Sequence, residues 1–164
     1  VIQHVIVQVE AGECGLDALA LSRRPFGVNR GAEQRGRRGD GVGRGLFDLA
    51  TLSAIHAKMH ASVTSAGGRI DAVFFCPHAA DSNCNCRKPK PGMIQEVLRR
   101  FGAAPGEVWV VGDALRDLQA AASIGCRPVL VLTGKGRSTM QAGGLPDSTH
   151  VRVDLAAVAA ELAP

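Results

Sequence analysis

Three cysteines and a histidine lie close together in the middle of the chain, in an order that suits a metal ion. The first pair is Cys76 and His78, and the second pair, after five intervening residues, is Cys84 and Cys86. Thiolate and imidazole groups are the ligands that Zn²⁺ takes in tetrahedral structural sites. Four protein ligands leave no position for water, so the spacing predicts a structural zinc that holds the loop 76–86. The alternative is that these side chains are incidental members of a polar loop.

A short run of cations follows the cysteine loop directly. Arg87, Lys88 and Lys90 lie within four residues, just before Pro91 and the start of a predicted helix. Cations beside the free N–H groups of a helix start form a site for anions such as phosphate. A basic turn exposed to water is the more common meaning of such a run, so the interpretation depends on the motif that comes next.

That motif is a pair of aspartates at the end of an apolar segment. Asp113 follows the run Val108–Gly112, and Asp117 lies one helical turn further along the same face. Mg²⁺ is commonly held by one or two carboxylates together with substrate phosphate, so this pair predicts a magnesium site. Asp113 could instead cap the helix that follows it, and Asp117 could be an exposed or supporting carboxylate.

Alternating strands and helices must position these groups. The apolar runs predict strands over 72–75, 108–111, 129–132 and 150–153. Helical spacing predicts helices that begin after Asp48, near Pro91 and at Leu115, with a last one over 155–162. Such repeats with short turns predict a parallel sheet covered by helices, which binds ligands beyond the carboxyl ends of its strands. Cys76, Asp113 and Thr133 each follow a predicted strand, so we expect them at that edge.

The composition fits one soluble domain with a hydrophobic core. Of the 164 residues, 46% are hydrophobic and 21% are charged, and the net charge of +4 is too small to predict nucleic-acid binding by itself. No apolar run approaches the roughly 20 residues of a membrane helix, and the first residues do not resemble a signal peptide. We also expect a cytoplasmic monomer, with neither nucleic acid nor a membrane as partner.

From Gly41 to its end, the chain resembles the haloacid dehalogenase-like (HAD) phosphatases. A Lys-Pro pair, followed by a strand and Gly-Asp-x-x-x-Asp, is similar to the third and fourth motifs of that family. The cysteine loop followed by Arg87–Met93 resembles one branch in particular, the D-glycero-D-manno-heptose 1,7-bisphosphate phosphatases and histidinol-phosphate phosphatases. The resemblance implies an α/β fold, a Rossmann-like three-layer sandwich with a parallel sheet, over residues 41–164.

The resemblance also implies a role for individual residues. Lys88 matches the catalytic lysine that holds the phosphoryl group, and Arg87 matches an arginine that contacts the substrate. Asp113 matches the ligand of the catalytic magnesium, and Asp117 completes the motif and orients the site. The zinc ligands of the branch are matched by Cys76, His78, Cys84 and Cys86.

The implied activity is hydrolysis of a phosphomonoester in a sugar phosphate. Within the branch, the zinc loop fits an enzyme that removes the 7-phosphate of D-glycero-D-manno-heptose 1,7-bisphosphate, a precursor of the lipopolysaccharide core. Histidinol phosphate is the alternative substrate. The implied cofactors are a catalytic Mg²⁺ and a structural Zn²⁺.

Residues 1–40 depart from the family and are predicted to be an atypical segment, so that the N-terminal part of the fold is incomplete or aberrant. The family nucleophile is the first Asp of an Asp-x-Asp at a strand end, and no Asp-x-Asp occurs in these 164 residues. Where the second motif should lie, Gln34–Asp40 is rich in Arg and Gly. We hypothesise that the chain before Gly41 comes from a shifted reading frame and begins after the first motif. Resequencing the gene tests this idea, which an unchanged reading of Arg37–Asp40 would contradict.

The missing motif leads to two further expectations. Without the nucleophile these residues cannot form an aspartyl phosphate, so we expect little phosphatase activity and low stability from the chain as it stands. A zinc-bound relative without catalytic activity is therefore a second hypothesis. Binding of nucleic acid by Arg23–Arg44 is a third, which we disfavour because the tract lacks regular Arg-Gly-Gly spacing.

Overall fold

The elements follow the predicted alternation closely. The computed structural model describes residues 4–7 (backbone only), 48–65, 70–79 and 81–162. Its strands are β1 His4–Val7, β2 Ala72–Phe75, β3 Trp109–Gly112, β4 Arg127–Val131 and β5 His150–Arg152. Its helices are α1 Leu49–Ser65, α2 Gly92–Phe101, α3 Leu115–Ala122, α4 Gly136–Ala142 and α5 Leu155–Leu162, with a short 3₁₀ turn at Pro105–Glu107.

Three strands form the parallel sheet that carries the Asp113 motif. Their order is β3–β4–β5, with Val111 opposite Val129 in one ladder and Val129 opposite His150 in the next. Each crossover between them contains a helix, as parallel pairs require. The carboxyl ends of β3 and β4 therefore open on the same edge, and the predicted parallel sheet is confirmed for these three strands.

The strand before the cysteine loop lies in a different arrangement. β2 pairs with β1 in an antiparallel ladder that places Val7 opposite Ala72 and His4 opposite Phe75. β1 lies in the apolar segment at the start of the chain, whose Val and Ile residues favour a strand. Within the described residues these two strands make a sheet separate from β3–β5, so a single parallel sheet for all the predicted strands is wrong there.

Helices cover both faces of the parallel sheet. On one face, side chains of α2 and α3 pack with β3 in a buried cluster of Ile94, Val110, Ala120, Ala121 and Cys126. On the other face, Val158 of α5 packs against Val129 and Val131 of β4. Two helical layers with a sheet between them give the predicted three-layer sandwich. Cys126, which lies outside the cysteine loop, is buried in the first of these clusters as a small apolar side chain.

The helix α1 begins as predicted, but its apolar face is only partly buried. The Thr51 N–H donates a 2.7 Å hydrogen bond to Asp48 Oδ1, which caps the first turn. The sequence places Leu49, Leu52, Ile55 and Met59 at helical spacing, as for one apolar face. Of these, Leu52 is buried, whereas Leu49 and Ile55 are exposed by 59% and 43%, so the face is only partly buried. No helix in the described ranges is both long and apolar enough to cross a lipid bilayer.

One helix was absent from the sequence-based expectations. α4 lies in the segment after β4 that its glycines and polar residues predict to be a loop. It starts at Gly136, where a β-carbon would collide with the main-chain oxygen of Val131, so the turn closes tightly on the end of β4. The division of the chain at residue 41 and the reading-frame hypothesis concern segments outside the described residues.

Candidate metal and phosphate site

The four predicted zinc ligands converge on one point. Cys76 follows β2 and is buried, Cys84 and Cys86 are half-buried, and His78 is exposed. The three sulfurs lie 3.3 to 3.5 Å from one another, and His78 Nδ1 lies 3.2 Å from the sulfur of Cys86 and 3.7 Å from that of Cys76. All four ligand atoms lie within 4.8 Å of one another.

This spacing fits a tetrahedral ion. A zinc about 2.3 Å from each thiolate would separate the sulfurs by about 3.8 Å, slightly more than the distances found here. Burial, together with the hydrogen bond between Cys76 and Cys86, raises the pKa of the Cys76 thiol to about 12. A zinc ion held by this cluster would take Cys76 as a thiolate, with loss of the thiol proton.

Polar contacts within the loop supplement the metal ligands. Lys90 Nζ donates hydrogen bonds to the main-chain oxygen of Asn83 at 3.1 Å and to its Oδ1 at 2.6 Å. The Gly92 N–H donates a 3.0 Å bond to the Asn85 oxygen, which ties the loop to the start of α2. Lys90, grouped by sequence with the anion-binding cations, therefore stabilises the loop instead.

Lys88, two residues after the cysteine loop, contacts the helix α3. Its Nζ lies 2.8 Å from Asp117 Oδ1, and the two side chains are only 8% and 11% exposed. The second carboxylate oxygen of Asp117 accepts a 3.3 Å hydrogen bond from the Ala114 N–H at the start of α3. Both oxygens of Asp117 thus have partners, which makes it a support for Lys88. The lysine motif and the aspartate motif were each visible in sequence, but their direct contact was not.

The absence of a side chain on Gly112 leaves room for the side chain of Asp117. A β-carbon on Gly112, the last residue of β3, would lie 2.5 Å from the Asp117 Cβ and 2.8 Å from its Oδ2. Any larger residue would displace the carboxylate that pairs with Lys88. The Gly-Asp-x-x-x-Asp motif therefore needs its glycine for packing between strand end and helix.

Asp113 lies at the end of β3 and faces the turn after β4. Its Oδ2 accepts a 2.9 Å hydrogen bond from the main-chain N–H of Lys135, whose side chain is exposed. The N-cap of α3 is Ala114, so the alternative of Asp113 as the cap residue is wrong. Thr133, also predicted at this edge, is exposed in the same turn. Arg87, which lies between Cys86 and Lys88 in the sequence, is half-buried.

Comparisons with known proteins agree on one family. Residues 85–158 match the family model described as HAD-hydrolase-like. The chain is 57% identical over 122 residues to the D-glycero-beta-D-manno-heptose-1,7-bisphosphate 7-phosphatase of Bordetella bronchiseptica, covering 74% of this chain and 68% of that protein. It is 53% identical to the Neisseria meningitidis enzyme of the same name, covering 68% and 60%, and 46% identical to that of Pseudomonas putida, covering 74% and 69%.

Solved structures give the same result. The B. bronchiseptica D,D-heptose 1,7-bisphosphate phosphatase, complexed with magnesium and phosphate, matches with a TM-score of 0.73 at 56% identity. The Burkholderia thailandensis enzyme matches with a TM-score of 0.60 at 51% identity. Each match covers 74% of this chain and 68% of the other, so the chain spans about two thirds of these relatives.

The cysteine cluster leads to a prediction about zinc content. The purified chain should hold about one zinc ion, and Cys86→Ser should remove it because a neutral hydroxyl replaces a thiolate ligand. Metal analysis after dialysis against a mild chelator measures this. Cys126→Ser, which alters a buried cysteine outside the cluster, is the control and should keep its zinc. Retention of zinc by Cys86→Ser would contradict the assignment.

The buried ion pair leads to a prediction about stability. Asp117→Asn should lower the free energy of unfolding by about 3 kcal/mol, because it leaves the ammonium of Lys88 buried without its counter-charge. The double variant Lys88→Met/Asp117→Leu should recover part of that loss, since no buried charge remains. Urea unfolding measures both. Glu96→Gln, in an exposed pair with Arg99, is the control and should change little; an equally small effect of Asp117→Asn would count against a buried pair.

Proposed function

The chain belongs to the HAD-like family of D-glycero-D-manno-heptose 1,7-bisphosphate phosphatases, and we propose that its site holds the 7-phosphate of that substrate during hydrolysis. The observation that carries the proposal is the buried Lys88–Asp117 pair, which fixes a lysine beside the Asp113 motif. The family membership rests on relatives of which this chain spans 68% and 69% at 57% and 46% identity. The activity itself is the proposal.

Lys88 and Arg87 would supply the positive charge at the phosphate. In phosphoryl transfer, positioned cations stabilise the charge that develops on the transferred oxygens, and this effect is strong where water is excluded. The ammonium of Lys88 is nearly inaccessible to water and is held on one side by Asp117, so it cannot swing into solvent. Its orientation is thus set before a substrate arrives, which lowers the cost of reorganisation.

Asp113 would hold a catalytic Mg²⁺. Its carboxylate offers a hard oxygen at the edge of the sheet, which fits an ion that binds few protein ligands together with substrate phosphate. When bound, such an ion neutralises charge on the phosphoryl oxygens. The B. bronchiseptica relative, which was solved with magnesium and phosphate, supports this choice. The zinc cluster lies at the other end of the Cys86–Lys88 segment and would stabilise the loop.

The nucleophile cannot come from the aspartates described at this edge. Asp117 is occupied by Lys88 and by the Ala114 N–H, and Asp113 is assigned to the metal. The family resemblance places the nucleophile in an Asp-x-Asp, which these 164 residues do not contain. We therefore propose that residues 41–164 carry the phosphate-holding part of the site, and that turnover depends on a strand ending in Asp-x-Asp.

The choice of substrate follows the relatives. The proteins compared above are named for heptose 1,7-bisphosphate, which favours that substrate over histidinol phosphate. A sugar phosphate as the binding partner agrees with the cations of the site. The monomeric state and the cytoplasmic location expected from the sequence stay predictions.

Phosphate release from heptose 1,7-bisphosphate with Mg²⁺ tests the proposal. The 164-residue chain should release phosphate no faster than its own Lys88→Ala variant. A chimera in which the part of the B. bronchiseptica enzyme that this chain does not match replaces residues 1–40 should turn over, if that part supplies the family's Asp-x-Asp. In that chimera Lys88→Ala should lower the rate by a factor of about 100 or more, because it removes charge stabilisation at the phosphate.

Each outcome separates the hypotheses. A folded, zinc-loaded chimera that releases no phosphate would contradict the proposal and favour a zinc-bound relative without catalysis. Faster release from histidinol phosphate would overturn the choice of substrate. Turnover by the unaltered chain at the chimera's rate would show that the nucleophile lies elsewhere in these residues.

A further inference from the structure

The helix α4 contacts the metal-binding aspartate through a side chain that the proposed function does not use. Thr139 Oγ1 donates a 2.8 Å hydrogen bond to the main-chain oxygen of Asp113, across 26 positions of sequence. The contact is partly buried and joins α4 to the loop between β3 and α3. It holds the backbone of the residue whose carboxylate is assigned to Mg²⁺.

The same turn-and-helix unit also holds the Asp113 side chain. The Lys135 N–H donates to Asp113 Oδ2 at 2.9 Å, and it comes from the turn that leads into α4. Gly134 adopts a φ of +57° there, and a β-carbon on it would collide with Asp113 Oδ2. Residues 134–139 therefore hold Asp113 by two hydrogen bonds, one to its carbonyl oxygen and one to a carboxylate oxygen.

The hydroxyl of Thr139 does not make the hydrogen bond within the helix that Ser and Thr hydroxyls usually make. Ser and Thr in helices commonly donate to a carbonyl three or four residues back. Ser138, the preceding residue, does so, with its hydroxyl 2.7 Å from the Lys135 oxygen. Thr139 instead reaches out of α4 to another loop, so its hydroxyl serves the contact between the two segments.

We propose that Thr139 is a positioning residue for the phosphatase site, which sets the direction of the Asp113 carboxylate by holding its main chain. This inference rests on the proposed function for the role of Asp113 as a metal ligand. The role of α4 is then to orient Asp113. Because Thr139 fixes the Asp113 carbonyl and Lys135 fixes its Oδ2, the carboxylate has one orientation toward the edge of the sheet. Free rotation of the Asp113 side chain would lower the affinity of the site for a metal ion.

The test is Thr139→Val, which keeps the shape of the side chain and removes its hydroxyl. NMR would measure the exchange rate of the Lys135 amide proton in the full chain, and a titration with Mn²⁺ alone would measure metal affinity. Both the exchange rate and the dissociation constant should rise by about fivefold, the effect of losing one hydrogen bond. Thr139→Ser, which restores the hydroxyl, should stay within about twofold of the unaltered chain in both measurements.

Two controls separate positioning from general destabilisation. Ser123→Ala removes a similar hydroxyl-to-carbonyl bond, 2.9 Å to the Ala120 oxygen, at the far end of α3 and should change neither measurement. The Leu130 amide, buried in β4, should keep its exchange rate in Thr139→Val. If Thr139→Val does not fold, Thr139→Ala removes the same hydroxyl with less bulk and replaces it in both measurements.

The outcomes distinguish this inference from the proposed function. An unchanged Lys135 exchange rate in the hydroxyl-free variant would overturn the positioning role. Faster Lys135 exchange, with Leu130 unchanged and Thr139→Ser normal, would support it. Equal Mn²⁺ affinity in the unaltered chain and in Asp113→Asn would instead refute Asp113 as the metal ligand, and the exchange rates would still decide whether Thr139 positions it.

Discussion

The ammonium group of Lys88 lies 2.8 Å from the Asp117 carboxylate, in a place where water solvates neither side chain fully. A buried charge of this kind is tolerated only beside its partner, because desolvation of an unpaired ion costs several kcal/mol. The pair therefore fixes the distance between the helix α3, which contains Asp117, and Lys88, which lies two residues after the cysteine loop. The loop has little apolar surface of its own, so this contact and the metal cluster together determine where it lies.

Two other constraints bring the remaining groups to the same edge. Gly112 leaves room for the Asp117 side chain directly behind the end of β3. The turn after β4 then meets Asp113 through the Lys135 N–H and Thr139. Three separate stretches of sequence, a metal loop, a strand end and a short helix, thereby meet around one edge of the parallel sheet. That convergence is what a phosphate site with a metal ligand requires, because its charges must be oriented before the substrate binds.

Sequence patterns predicted the parts of this structure that depend on local chemistry. The apolar run 72–75 and the terminal helix 155–162 were found with the predicted bounds, because apolar periodicity reports burial directly. The cluster of Cys76, His78, Cys84 and Cys86 was predicted because ligand type and spacing are themselves the signal. α4 was missed because its residues are polar and flanked by glycine, and a tertiary contact to Asp113 holds it. The antiparallel pairing of β2 and the exposed Leu49 and Ile55 were missed because helical or strand periodicity does not say which neighbour a face will meet.

The central claim is that the metal loop holds Lys88 on Asp117. Two-dimensional ¹H–¹⁵N NMR of lysine ammonium groups tests it directly, with the Lys88 signal assigned by its absence from Lys88→Met. In the zinc-loaded chain the buried, paired ammonium should exchange slowly with water and give a resolved signal. Removal of zinc by a chelator should abolish that signal while the β3–β5 amides persist. A Lys88 signal that survives zinc removal unchanged would contradict the claim that the metal loop positions this lysine.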